Sequence, residues 1–523
     1  MTSDVITETA RRVFGYEQLW PGQYEAVRAL LDGHDVLLVG STGSGKSLAY
    51  QLPAVLLQRP TLVVSPLLAL QADQATRLAE RGEDTKAERV SSAETPRQRR
   101  AALEAAAAGD VEFLFLAPEQ LAKDDVREAV AALRPSLVAV DEAHCVSSWG
   151  HDFRPDYLRL GDLLADLEDP RIIAMTATAA PPVRADIVER LRLRDPRVVV
   201  GGSARTNLYL SVERCLDERD QRDRVLAAVL GTSGPGIVYV RTRKATEEYA
   251  AGLAEAGLAT AAYHAGLAKR ARDSVQDDFM AGRLEVMVAT SAFGMGVDKP
   301  DIRFVVHAQA PDSPDSYFQE VGRAGRDRAP ALGLLYFRPE DLGLARFFTA
   351  PNPQPADVAL VLESLTGDGE PDRARIGEQT GLSPRKLGRI LNLIDEVSEN
   401  GHRPNVVAVI ERAEAYRKLQ ESRIERMRAY AETRRCRRQF LLEYFGEHTA
   451  DLCGDCDNCL AGIATDQPDT GPFRVQQAVR HQTFGAGVVM GVVGDELTVL
   501  FDDVGYRTLS LPTVVEQELL EPA

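Results

Sequence analysis

Short apolar runs separated by longer helical patterns fill most of the first 340 residues, and they decide what this chain can fold into. DVLLVG, TLVVSP, EFLFLAP, SLVAVDEAH and RIIAMTAT form one series between residues 35 and 178. GIVYVRT, ATAAYHAG, EVMVATSAFGMG, IRFVVHA and LGLLYF form a second series between residues 236 and 337. Runs this short, apolar at consecutive positions, suit strands covered on both faces. Strands that alternate with helices give parallel sheets, so two series predict two doubly wound α/β lobes. Ligands in such sheets sit beyond the carboxyl ends of the strands, where each run turns polar.

The first run leads into G-x-x-x-x-G-K-S within LLVGSTGSGKS. Gly40, Gly43 and Gly45 let backbone N–H groups curl around phosphate oxygens. Lys46 supplies a point charge to β- and γ-phosphates, and Ser47 a hydroxyl to Mg²⁺. Gly43, Ser44, Gly45, Lys46 and Ser47 are therefore the candidate phosphate-binding residues. Asp141 closes the strand SLVAV, where it can hold Mg²⁺, and Glu142 can orient or deprotonate an attacking water. In the second series, QEVGRAGRD places Arg323 and Arg326 on one turn. Arginines offered across a cleft between lobes stabilise charge on a transferring phosphoryl group.

Six cysteines in 523 residues form no disulfide framework. Cys436, Cys453, Cys456 and Cys459 cluster as C-x16-C-x2-C-x2-C, a thiolate set suited to a tetrahedral zinc ion, with an iron–sulfur cluster as the alternative. Between the lobes and the cysteines, ARIGEQTGLSPRKLGRILNLIDEV reads as two helices around a glycine turn. Ser383 is the N-cap, Pro384 the first helical residue, and Ile376, Leu382, Leu387, Ile390, Leu391 and Ile394 form a shared apolar face. That is a helix-turn-helix pattern, or a small bundle with no groove to read. After the linker AGIATDQPDTGPF, the tail alternates β-rich runs with Gly and Asp turns, which suggests a small β-barrel.

The net charge of −17 argues against indiscriminate nucleic-acid binding but leaves room for a local basic groove. The densest basic stretch is Arg417–Phe440, which taken alone reads as a solvated helix face. The opening MTSDVITETARRVFGY lacks an apolar core, and no apolar run reaches the ~18 residues that span a bilayer, so the expected location is the cytoplasm.

Taken together these motifs resemble the RecQ family of superfamily 2 DNA helicases. FGYEQLWPGQ, GSTGSGKSLAYQLPA, VSPLLALQADQ, DEAHCVSSWGHDFRPDY and TATA follow one another in the family's order. So do IVYVRTRK, AAYHAGL, ATSAFGMGVDKPDIRFVVH and SYFQEVGRAGRD. The resemblance covers roughly residues 10–345 and resumes at the cysteines. It implies that Tyr16 and Gln23 contact adenine, that Arg326 with Arg323 forms the arginine finger, and that His144 links nucleotide to DNA. It implies an aromatic-rich loop that senses single-stranded DNA, with Trp149, His151, Phe153 and Arg154 as candidates, and His264 of AAYHAGL as a further DNA-coupling residue. Aromatic stacking on bases tolerates any sequence; the competing reading is that Trp149 and Phe153 pack between the lobes. It implies zinc at the four cysteines and a basic helix before Cys436 that faces DNA.

The chain departs from the family pattern in several places. Trp20 stands where arginine precedes the proline, which suggests stacking in place of a charge–phosphate contact, and Asp298 stands where many relatives have Asn. Well-known relatives carry a winged helix after the zinc site and often a helical HRDC domain. Here the helix-turn-helix pattern comes before the zinc region, and the tail resembles the Tudor-like module of UvrD-type helicases. The expected fold is thus two RecA-like lobes (1–205 and 206–348), a helix-turn-helix or winged-helix-like region (356–402), a zinc-binding helical subdomain (403–462) and a small Tudor- or SH3-like barrel (472–523). The expected activity is ATP- and Mg²⁺-dependent DNA unwinding with 3′–5′ polarity, acting on single-stranded and forked DNA, with a protein partner for the barrel. The rivals are a translocase that does not separate strands, a DNA-binding adaptor with a switch-like ATPase, and an RNA helicase.

Overall fold

The computed structural model describes all residues except 1–2, 42, 58–59, 83–84, 148–156, 158–159, 202–204, 295–298, 350, 366–372, 399–403, 448, 450, 465–471, 476 and 523. The chain divides into two compact units. One comprises residues 1–341 with 430–466, the other residues 342–429 with 467–523.

In the first unit, the lobe 1 strands are β1 (Val36–Val39), β2 (Thr61–Val64), β3 (Ala87–Val90), β4 (Phe113–Leu116), β5 (Leu137–Val140), β6 (Arg171–Thr176) and β7 (Arg197–Val200). They form one parallel sheet in the order β3-β4-β2-β5-β6-β1-β7. Lobe 2 contributes β8 (Leu208–Arg214), β9 (Gly236–Tyr239), β10 (Thr260–Tyr263), β11 (Val286–Ala289), β12 (Phe304–His307) and β13 (Ala331–Phe337). These are also all parallel, ordered β10-β11-β9-β12-β13-β8. Every expected run became a strand. The central strands are buried at every position, as in β1, β2, β4 and β5, because helices cover both faces of the sheet.

Parallel register brings the functional loops to one edge. Val36–Val39 of β1 lie opposite Ile173–Thr176 of β6, and Leu137–Val140 of β5 opposite Arg171–Ala174. The loops after β1, β5 and β6 therefore emerge side by side, held by Gly40 N–H on Thr176 O (3.1 Å) and Asp141 N–H on Val64 O (2.8 Å).

The helices of the second unit include Pro355–Ser364, Arg373–Thr380 and Pro384–Val397, together with most of the long helix Val406–Glu432. Ser383 Oγ caps the third helix by accepting the Lys386 N–H, and Pro384 is its first residue. Val358, Val361, Ile376, Leu387, Ile390, Leu391 and Ile394 share a core with Val409 and Ala413 of the long helix, and Leu382 packs against its edge. The tail is a five-stranded antiparallel sheet, β14 (Ala478–His481), β15 (Gly485–Val493), β16 (Glu496–Phe501), β17 (Gly505–Ser510) and β18 (Leu520–Pro522), ordered β17-β16-β15-β14-β18. Its own core includes Val479, Val489, Leu497, Val499 and Phe501.

The tail sheet seats on the long helix. A Cβ on Gly505 would stand 2.2 Å from Ser422 Oγ and 3.2 Å from Leu419 Cα, so only glycine, at φ +71°, lets this turn approach. Arg426 lies over the Tyr506 ring (5.9 Å) and donates to Thr498 Oγ1 (3.4 Å). The basic stretch Arg417–Phe440 divides in the structure: Arg417, Lys418, Arg428 and Arg434 are exposed, and the others are engaged. Arg423 is buried, Arg426 packs on the tail sheet, and Arg435, Arg437 and Arg438 pair with Glu443, Asp457 and Asp455. Side chains engaged in this way are not offered to a phosphate backbone.

Candidate active site and metal centre

A cavity of about 480 Å³ opens between the lobes of the first unit, lined from lobe 1 by Tyr16, Lys46, Ser47, Asp141 and Glu142 and from lobe 2 by Arg323 and Arg326. Gly43 and Gly45 take φ +80° and +75°, as a loop that turns its N–H groups toward one point requires. Arg326 lies against that loop: a Cβ on Gly43 would be 2.9 Å from Arg326 Cγ. The lobe 2 arginine and the lobe 1 phosphate loop are thus in contact.

Lys46 Nζ donates to Gly40 O (2.6 Å) and Ser41 O (3.1 Å), folded back on its own loop. Desolvation in the cavity lowers its pKa, against the attraction of Glu142 and Asp141. The same desolvation, followed by repulsion from Glu142, pushes the Asp141 carboxyl up to about 7. A carboxylate so placed gains most from a neighbouring cation. Ser47, whose Oγ accepts from Gln74 Nε2 (3.3 Å), lines the same cavity, so the pair fits a divalent ion. Tyr50 OH in turn orients Gln74 through its Oε1 (2.7 Å).

Glu142 adopts φ +48°, a left-handed backbone that costs a non-glycine residue about 1–2 kcal/mol. Its N–H donates to Asp141 Oδ1 (3.0 Å), and its carboxylate lies 3.4 Å from His144 Nδ1. His144, fully buried, contacts Thr176 Oγ1 through the same nitrogen (3.0 Å). That hydroxyl also donates to Thr178 O (2.9 Å). Tyr157 OH donates to Asp141 O (3.0 Å). The carboxylate pair is therefore wired to β6 through His144 and to Tyr157 through the Asp141 carbonyl.

Gln23 and Trp20 are turned toward the loop. Gln23 Oε1 accepts from Trp20 N–H (3.1 Å), and Nε2 donates to Gly45 O (2.8 Å). The Trp20 indole N–H donates to Ser44 O (2.9 Å), and its ring would clash with any Cβ on Gly22. Trp20 is thus a strut of the phosphate loop. Trp20→Phe keeps the ring and loses the N–H. One hydrogen bond is worth about 0.5–1.5 kcal/mol, so the KM for ATP is expected to rise roughly three- to tenfold with kcat little changed. Steady-state kinetics check this, and an unaltered KM counts against the strut.

The four cysteine sulfurs lie within 4.8 Å of one another, with Cys453 and Cys459 Sγ 3.8 Å apart. Sulfurs around one tetrahedral zinc at about 2.3 Å are about 3.8 Å apart, whereas a cluster of several irons spreads its thiolates more widely. Cys453 N–H and Arg437 N–H donate to Cys436 Sγ (3.4 Å) and Cys456 Sγ (3.5 Å), as thiolates favour. Desolvation and then Cys456 push the Cys459 thiol up to about 11, a penalty that a bound cation removes. The donor set fits zinc. The loop is anchored to lobe 2: Asp457 accepts from Val212 N–H (2.9 Å) and holds Arg437, while Arg438 donates to Leu208 O (3.2 Å). Arg184 of lobe 1 reaches the same subdomain, donating to Phe445 O (2.6 Å) and to Ala179 O (2.8 Å) of the TATA motif.

Residues 20–186 match the DEAD/DEAH box helicase family, 221–328 the helicase conserved C-terminal domain and 389–460 the RecQ zinc-binding family. The chain is 35% identical over 468 residues to the probable ATP-dependent DNA helicase RecS of Bacillus subtilis, covering 87% of this chain and 92% of that protein. The chain belongs to the RecQ helicase family. It is also 34% identical over 450 residues to the ATP-dependent DNA helicase RecQ of Haemophilus influenzae, covering 86% of this chain and 62% of that protein. For the Pasteurella multocida RecQ the share is 61%, so this chain spans about three fifths of those two relatives. In fold it is similar to the DUF1998 helicase MrfA bound to DNA and AMPPNP (TM-score 0.55, 22% identity, covering 77% of this chain and 62% of that one). It is likewise similar to the Mycobacterium smegmatis helicase Lhr bound to ssDNA and AMP-PNP (TM-score 0.54, 22% identity, covering 80% and 62%).

In this RecQ-family chain, the structure brings Tyr16, Lys46, Ser47, Asp141, Glu142, Arg323 and Arg326 to one cavity. Trp149, His151, Phe153 and Arg154 lie outside the described residues, as does Asp298. His264 is buried in lobe 2, where its Nδ1 accepts from Gly266 N–H (3.2 Å) and its Nε2 lies 3.4 Å from Glu247; it does not line the cavity. Sequence reasoning gave no role to Gln74, which closes the VSPLLALQADQ motif, and missed Arg184, Arg205 and Asn207, polar residues outside the quoted motifs. Among the described residues no helix is long and apolar enough to cross a membrane.

Proposed function

We propose that the chain is an ATP-dependent DNA helicase that couples hydrolysis to movement along single-stranded DNA, with 3′–5′ polarity, and to the opening of forks. The observation that carries this is the shared cavity, where Lys46, Asp141 and Glu142 of one lobe face Arg326 of the other. A site completed by both lobes makes hydrolysis depend on their closure, which is how a chemical step becomes a mechanical one.

In this reading Lys46 leaves the Gly40 and Ser41 carbonyls for the substrate's phosphates. Ser47 and Asp141 would hold Mg²⁺, which would supply charge neutralisation at the phosphates. Glu142, set by its strained backbone, orients the attacking water, and Arg323 and Arg326 stabilise charge on the departing phosphoryl group. Tyr16, at the cavity wall, and Gln23 are the adenine-side residues. His144 relays between the carboxylates and the loop that carries Trp149, His151, Phe153 and Arg154, the proposed single-strand sensor, with His264 as a second DNA-coupling residue. The boundaries 1–205, 206–348, 356–402, 403–462 and 472–523 are the proposed functional modules. The helix-turn-helix region contacts duplex, the tail sheet takes a protein partner, and the protein works in the cytosol at the nucleoid.

The test is unwinding of a forked DNA duplex beside ATP hydrolysis with single-stranded DNA or RNA. Strand separation and many-fold stimulation by DNA are expected. Stimulation without unwinding supports the translocase instead, and stimulation by RNA alone overturns the DNA assignment.

A further inference from the structure

Arg326 is carried by a turn, Gly322–Ala329, that follows the helix Pro314–Val321. Lobe 2 holds this turn from one side, through Gly325 N–H on Ile302 O (2.7 Å) and Arg303 on Asp327 (2.6 Å). The other side is held from the segment that joins β7 to β8, which is the connection between the lobes. Arg205 Nη2 donates to Ala324 O (2.7 Å) and Gly325 O (2.6 Å), and Nη1 donates to Gly322 O (3.2 Å). Asn207 Nδ2 donates to Gly325 O (2.8 Å) and Ala329 O (2.8 Å), and its Oδ1 accepts from Arg205 Nε (3.3 Å), which fixes the amide's orientation.

The carbonyls captured include the two immediately before Arg326. Gly325 has φ +61°, and a Cβ there would stand 2.6 Å from Asn207 Nδ2, so the turn and its clasp are built around each other. The clasp also sets two like charges close together. Burial, then the charge of Arg326, push the Arg205 guanidinium's pKa below its ordinary value. A helix C-terminus needs partners for its carbonyls, but a lysine, a water or a glycine motif would provide them without a second guanidinium beside the first. Arginine's rigid planar fork, which can hold three carbonyls at fixed angles, is what positioning requires.

We propose that Arg205 and Asn207 are positioning residues that tie the Arg326 turn to the interlobe connection, so that the arginine's placement over the phosphate loop follows the position of the connection. This rests on the reading of Arg326 as the group that meets the γ-phosphate. Movement of the lobes would then set the finger directly, through the chain that joins them, as well as through the lobe 2 sheet.

The test is a double-mutant cycle on the full chain, measuring DNA-stimulated ATP hydrolysis. A misplacement of about 1 Å costs on the order of 10²-fold. Arg205→Ala and Asn207→Ala are expected to lower kcat roughly ten- to a hundredfold, with the KM for ATP and the affinity for single-stranded DNA within about threefold. In an Arg326→Ala background the same changes are expected to cost less than about threefold more, because nothing remains to be positioned. Arg205→Lys keeps the charge but not the fork. It carries the test if the alanine variant fails to fold, with an expected loss of about tenfold in kcat at an unchanged melting temperature. Losses that multiply with that of Arg326→Ala, or a raised KM at native kcat, overturn the proposal. If Arg326→Ala by itself hydrolyses ATP normally, the reading beneath the proposal falls, and that result is distinct from a failed cycle.

Discussion

Arg326→Ala is expected to reduce DNA-stimulated ATP hydrolysis by about 10³- to 10⁵-fold, the range observed when an arginine that meets a transferring phosphoryl group is supplied or withheld. The loss should fall on kcat, because the guanidinium meets charge that develops only as the phosphoryl group departs. Binding of a non-hydrolysable ATP analogue should change by less than about threefold. Arg326→Lys should rescue little, since a compact ammonium cannot reproduce the planar fork. The structural ground is the contact of the Arg326 stem with Gly43, which places a lobe 2 cation on the lobe 1 phosphate loop. Single-turnover and steady-state hydrolysis decide the matter, and kcat within tenfold of the unaltered chain would sink the composite-site mechanism.

Cys453→Ser is expected to release the metal and unfold the segment from Tyr430 to Ala464. Structural zinc in small domains is worth about 10–16 kcal/mol in apparent binding free energy, so what the remaining three thiolates retain cannot hold a short loop built around the ion. The damage should spread into lobe 2. Asp457 satisfies the Val212 N–H at the edge of β8, Tyr444 OH binds Asp315, and Phe445 packs on Phe318 at 5.0 Å. Asp315 and Phe318 belong to the helix that leads to Arg323 and Arg326. Zinc content should fall from one per chain toward zero. The apparent melting temperature should drop by more than about 10 °C, and new protease sites should appear near residues 445–460. One equivalent of zinc with native melting would remove the structural-zinc assignment.

The buried centre of each sheet was legible from sequence because strands covered on both faces must be apolar at every position. β3, β7 and β8 were not. All three are edge strands with exposed positions along them, so their sequences, AERV, RVVV and LYLSVER, carry less of that signal. The phosphate loop, the Asp141–Glu142 pair and the four cysteines were legible for a different reason. Their chemistry demands particular residue types at fixed short spacings, and a short spacing survives in one dimension. The division of the basic stretch was not legible, because charge along a helix does not say which arginines meet Glu443, Asp455 and Asp457.

The sequence by itself therefore determined the two parallel sheets, the loop that holds phosphate, the adjacent carboxylates and the metal's ligand set, since each depends on local pattern. Only the tertiary structure decided that Arg326 touches Gly43, that Trp20 supports the phosphate loop, that the tail sheet sits on the helix of Ser422, and that Arg205 clasps the turn before Arg326. Those are contacts between residues far apart in the chain, set by how helices pack and where strands enter a sheet. A hydrogen bond to a backbone carbonyl asks nothing of the side chain at that position, so it leaves no trace in the sequence of its acceptor.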